Sequence, residues 1–72
     1  MEDLILSALN DLSAAYRGAQ VTFRQGHKLV VEAEWYRGNP PSHMVVSSEA
    51  NKEDPVSVAS AIRECHRLLA DG

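Results

Sequence analysis

The chain is short of the features that usually announce chemistry, and each shortage excludes something. It has one cysteine, Cys65. That rules out the intrachain disulfide framework on which small secreted domains depend and points to a reducing compartment. No apolar run approaches the ~20 residues of a membrane span. Met1 is followed by Glu2 and Asp3, the wrong charge for a signal peptide, and Leu4 opens a helical rather than a cleavage pattern. The expectation is a complete cytoplasmic protein that starts at its own methionine.

Positive charge is also scarce. Seven Lys and Arg stand against ten Asp and Glu, a formal charge of −3. Proteins that grip nucleic-acid phosphates generally carry a basic patch, because counterion release supplies most of the affinity. The acidic balance therefore argues against a nucleic-acid partner. Metal sites need clustered ligands. Cys65 and His66 are neighbours on a helical stretch and point about 100° apart, while His27 and His43 fall in separate turn or strand-edge positions. No Gly-rich phosphate loop is present, and Ser47-Ser48-Glu49 lacks a nucleophile-elbow pattern. No cofactor, no metal and no enzymatic activity are expected. Cys65, inside an apolar helical stripe, reads as a buried thiol.

What is present is a fold. Seventy-two residues make one small domain, and 44% apolar content is ordinary for a globular one. A chain of this size buries only about 60–65% of the surface it exposes when unfolded. The chain is organised around Lys28–Arg37, which alternates with period two. Leu29, Val31, Ala33 and Trp35 fall on one face, and Val30, Glu32, Glu34 and Tyr36 on the other. That is a strand with one face in a core and one in water, spanning 28–37.

Residues 2–17 read as an amphipathic helix. Ile5, Leu9, Leu12 and Tyr16 form its stripe, Glu2 and Asp3 lie at its positive end, and Gly18 follows it. Leu6 falls off the stripe and reads as a rim residue, with an exposed contact as the alternative. A strand over 19–25 alternates Ala19, Val21 and Phe23 against Gln20, Thr22 and Arg24. Opposed residues share a face, so Val21 and Phe23 must meet odd-numbered positions of the central strand. A three-residue loop, Gln25-Gly26-His27, satisfies this by pairing Phe23 with Leu29 and Val21 with Val31.

Gly38-Asn39-Pro40-Pro41-Ser42 reads as a stiff, polyproline-like connection. A third strand over 43–48 turns Met44 and Val46 inward, and Glu49–Glu53 reads as a polar loop. Asp54-Pro55 then opens a helix over 55–70, with Asp54 as N-cap. Its stripe is Val58, Ile62, Cys65 and Leu69. The fold class expected is α+β: a single αβββα domain, a three-stranded antiparallel sheet with both terminal helices on one face.

The αβββα order is also similar in topology to the double-stranded-RNA-binding domain, and the length fits. That likeness implies a nucleic-acid-binding module as the alternative function, with Arg24, Lys28 and Arg37, or Arg63 and Arg67, as contacts. The family's lysine-rich start of the second helix corresponds here to Asn51-Lys52-Glu53-Asp54-Pro55, one lysine beside two carboxylates. Those carboxylates repel what the family's lysines attract.

The preferred expectation is a small acidic, non-enzymatic protein–protein interaction module. In size and charge it resembles the inhibitors that phages and mobile elements encode, the anti-CRISPR proteins among them. That resemblance implies a partner with a basic surface, masked by this chain's carboxylates. The expected contact residues are Glu32, Glu34 and Tyr36 on the outer sheet face, with Glu49, Glu53 and Asp54 extending the negative field at one end. Tyr is enriched in interface hot spots. A homodimer through a free sheet edge or face is a further expectation.

Overall fold

The computed structural model describes residues 3–71. The chain runs α1 (Leu4–Ala15), β1 (Gln20–Arg24), β2 (Leu29–Arg37), β3 (Ser42–Ala50) and α2 (Pro55–Asp71). The strands form one antiparallel sheet in the order β1-β2-β3. This is the αβββα architecture that the periodicities predict.

α1 starts later than its stripe suggests, because Asp3 serves as its cap and not as a first-turn residue. The Asp3 carboxylate accepts from the backbone N–H of Ile5 at 3.0 Å and of Leu6 at 3.1 Å. Glu2, also placed in this helix by the sequence, lies outside the described residues. The helix ends at Ala15, two residues before the predicted Arg17, and Gly18 takes a φ of +86° in the connection to β1. Leu6, off the stripe, is more than half exposed.

The core lies between the inner face of the sheet and the two helices. It comprises Ala8 and Leu12 of α1, Leu29, Val31 and Ala33 of β2, Ala50 of β3, and Val58, Ala59, Ala61, Ile62, Cys65 and Leu69 of α2. Odd-numbered residues of β2 point into it, as the alternation requires. Met44 and Val46 of β3 pack against it, while Val45 between them is half exposed. α2 lies closest to β2 and β3. α1 packs against α2, and just past its end Tyr16 packs edge-on against Trp35 of β2 with ring centroids 4.8 Å apart. The Trp35 indole N–H donates to the Arg17 carbonyl at 3.1 Å.

Register follows the predicted parity but not the predicted pairs. Phe23 lies opposite Val31 and Val21 opposite Ala33. Each is two positions beyond the expected partner, Leu29 and Val31. The difference arises because β1 stops pairing at Arg24–Val30, while Leu29 pairs only on its other side, with Ala50. A shift of two keeps the faces, so the core composition is unaffected. Phe23 is nevertheless 42% exposed, since it sits on an edge strand at the end of a short ladder.

The β2–β3 connection is a tight four-residue turn over 38–41, not a polyproline-like segment. Gly38 takes a φ of +87° and the Asn39–Pro40 peptide is cis. β3 also runs two residues further than predicted. Glu49 pairs with Val30 and Ala50 with Leu29, and Ala50 is buried. The polar loop therefore begins at Asn51, not at Glu49.

Candidate interaction surface

The helices cover one face of the sheet. On the other, β1 presents Gln20, Thr22 and Arg24, β2 presents Val30, Glu32, Glu34 and Tyr36, and β3 presents His43, Val45, Ser47 and Glu49. This face gathers four of the six contact residues expected from sequence: Glu32, Glu34, Tyr36 and Glu49. Glu49 reaches it as a strand residue. Glu53 and Asp54 lie apart from it, in the connection to α2.

Asp54 has a structural task. Its carboxylate accepts from the Val56 N–H at 3.0 Å and its carbonyl from the Val58 N–H at 3.1 Å, so it caps α2 as its sequence context predicts. The Glu53 N–H donates to the Asn51 side-chain oxygen at 3.1 Å. The Asn51 N–H in turn donates to the Ser57 hydroxyl at 3.0 Å. These local bonds shape the loop and hold Glu53 exposed.

Each outer-face carboxylate stands near a basic group. Glu32 lies 3.5 Å from the Arg24 guanidinium, Glu49 lies 3.6 Å from the Lys28 ammonium, and Glu34 lies 3.4 Å from His43 Nε2. His43 also stacks on Tyr36, with ring centroids 4.8 Å apart and planes 21° apart. Sequence reasoning placed these residues on one face but missed the pairing. The signal that would have found it is the β2–β3 register, which sets Tyr36 directly opposite His43. Tyr36 remains 57% exposed and Val45 50% exposed, so the face keeps two apolar contacts between its charged groups.

At the Glu49 end, the β1–β2 loop and the β3–α2 loop enclose an open cleft of about 560 Å³ that includes His27, Lys28, Glu49, Lys52 and Glu53. Its charges alternate in sign. Of the other basic residues expected as phosphate contacts, Arg63 and Arg67 are engaged with carboxylates. Arg63 pairs with Asp11 at 3.0 Å, and Arg67 pairs with both Glu64 and Asp71. The Arg67 hydrogen bond and charge hold the Glu64 carboxyl below its usual range.

Cys65 is fully buried on α2, and its thiol donates to the Val31 carbonyl across the core at 3.4 Å. Burial, and secondarily the charge of Glu64, pushes its thiol above the ordinary cysteine range. A thiol kept protonated and sealed from solvent is a packing group and a poor nucleophile. Among the described residues no group of three or more His, Cys, Asp or Glu is placed to hold a metal ion, and no helix is long and apolar enough to cross a membrane.

Comparison with known proteins adds no constraint: no family model, no curated protein and no solved structure matches the chain. The topology shared with the double-stranded-RNA-binding domain thus remains a likeness of element order.

Proposed function

We propose that the chain is a small non-enzymatic protein-binding module that docks the outer face of its sheet onto a basic surface of another protein. The observation that carries this reading is the asymmetry of β2. Its odd residues Val31 and Ala33 are wholly buried, whereas Tyr36 on the opposite face is 57% exposed beside Glu34 and the half-exposed Val45. An exposed Tyr flanked by an aliphatic residue and carboxylates offers both an anchor and an orienting charge.

The intrachain ion pairs suit this role. Exposed pairs of this kind contribute about 0–1 kcal/mol, so an incoming Arg or Lys can take over Glu32, Glu34 or Glu49 at little cost. An incoming Arg adds bidentate geometry that the resident partners at 3.4–3.6 Å do not show. A protein acting in this way works by occupation, covering a surface its partner needs for something else, as an inhibitor encoded by a phage or mobile element does. Glu32, Glu34, Tyr36 and Glu49 carry the contact. Glu53 adds to the negative field beside it, and Asp54 serves the fold.

The test is recovery of a partner from host lysate by the tagged chain, with and without nuclease, followed by mass spectrometry and a binding assay on what is recovered. The expected result is a specific protein retained after nuclease treatment, with binding weakened at high salt and by joint Glu32→Lys and Glu34→Lys substitution. Unchanged affinity in that double variant overturns the reading.

One observation favours a second reading, a nucleic-acid-binding module. Two loops bring His27, Lys28 and Lys52 to one cleft at the end of the sheet. It predicts RNA or DNA binding at low salt, lost steeply as salt rises. Glu49 and Glu53 in the same cleft oppose it, and a gel shift that shows no complex at low salt ends it.

A further inference from the structure

The sheet has two edges, and they differ. β1 is five residues long and ends in Arg24. β3 is nine residues long, contains no Lys, Arg or Pro, and pairs with β2 through nine consecutive positions without a bulge. Short length, edge lysines, prolines and bulges are the devices by which natural sheets keep their edges from pairing. β3 has none of them, and among the described residues no strand lies on its outer side.

We infer that this edge is a self-association site: β3 pairs antiparallel with β3 of a second copy of the chain, about a two-fold axis that passes between the two Val46 residues. The register argues for the second copy as occupant. Centring the axis on Val46 is the arrangement that uses all nine residues. It sets Ser42 opposite Ala50, His43 opposite Glu49, Met44 opposite Ser48 and Val45 opposite Ser47 of the other copy, and each pair recurs by symmetry. The only two titratable side chains of β3 thereby meet each other, opposite in charge when His43 is protonated, and no like charges are opposed.

Shifting the axis by one position to Val45 pairs His43 with Ser47 and moves Glu49 beyond the strand. Shifting it to Ser47 sets Glu49 against Val45 and moves His43 beyond the strand. Neither matches the charges. Because Glu34 already lies 3.4 Å from His43 and Lys28 lies 3.6 Å from Glu49, the paired edge continues a row of alternating charge: Lys28, Glu49, then His43 and Glu34 of the second copy. The two-fold axis stands normal to the sheet. Both helical layers therefore fall on one side, and the two outer faces join into one surface on the other. The inference rests on the backbone edge of β3 and does not require the outer-face reading, although Glu49 serves in both.

Sedimentation equilibrium of the full chain at roughly 10 µM and roughly 500 µM tests it, because association of identical chains follows mass action. A dimer is expected at the higher concentration. Ser47→Lys places two lysines near the axis, on exposed positions that do not touch the core, and is expected to leave a folded monomer by circular dichroism. In a buffer acidic enough to protonate His43, Glu49→Lys is expected to weaken dimerisation roughly 2- to 30-fold, the range for two lost cross-strand charge pairs. His43→Glu combined with Glu49→Lys restores opposite charges and is expected to recover it. A chain that stays monomeric at the higher concentration overturns the inference. So does a dimer indifferent to Ser47→Lys and Glu49→Lys, which must use another surface. Partner binding in the lysate assay is read separately, so a monomeric chain that still captures its partner separates the two proposals.

Discussion

The two faces of β2 show how one nine-residue strand serves two masters. Toward the helices it presents Leu29, Val31, Ala33 and Trp35, of which the first three are buried. Toward the open side it presents Val30, Glu32, Glu34 and Tyr36, and Tyr36 is among the more exposed large side chains of the domain. Adjacent residues of one backbone thus alternate between buried and half-exposed over 29–34, and Tyr36 near the end of the strand is exposed. The cause is the two-residue repeat of the strand combined with helices packed on one side only. Core-facing and open-facing side chains are segregated by residue parity. In a chain this small, that separation lets the outer face change without threatening the core.

The sharpest way to break the comparison is to remove atoms from the sealed side. Ile62 of α2 has no exposed surface and belongs to the cluster over the sheet. Ile62→Ala is expected to cost about 2–5 kcal/mol, transfer free energy plus the cavity left behind. For a domain with the modest stability of its size class this approaches the whole margin. Denaturant unfolding is the measurement, and a loss below 1 kcal/mol would mean that the two helices are not locked onto the sheet. A second experiment places the same chemical change on either side. Val31→Thr buries a hydroxyl where no water reaches and is expected to cost about 1–3 kcal/mol. Val45→Thr, half exposed on the outer face, is expected to stay within about 0.5 kcal/mol. Equal effects would contradict the segregation of the two faces.

Much of this was legible in the sequence, and what was not has physical reasons. The period-two alternation of 28–37 and the two helical stripes sufficed for element order, for the core face and for Cys65 as a buried thiol. Asp54-Pro55 marked the start of α2 to the residue. The β1–β2 register was two positions out because parity constrains faces but not loop length, and Leu29 found its partner on β3. Glu49 and Ala50 resemble loop in sequence because Glu49-Ala50-Asn51 looks polar. Yet Ala50 is small enough to complete the core opposite Leu29, which extends the strand. The pairings of the candidate face were illegible for a related reason. Tyr36 on His43 and Glu34 beside His43 depend on cross-strand neighbours separated by a turn whose length the sequence left open.

A small expected effect bears directly on the interaction reading. Arg24 and Glu32 lie 3.5 Å apart across β1 and β2, with side-chain exposures of 68% and 23%. A double-mutant cycle on Arg24→Ala and Glu32→Ala is expected to give a coupling of about 0.2–1 kcal/mol that shrinks as salt rises, as for other exposed cross-strand pairs. A weak coupling is what the proposed docking requires, because a partner's guanidinium must then displace only a loosely held one. A coupling well above 1 kcal/mol that persists at high salt would mean that the carboxylate is already satisfied within the chain. Glu32 would then be neutralised within the chain and would offer little attraction to a basic partner. The strength of that single pair therefore decides whether the Glu32 carboxylate is available to a partner or belongs to the fold.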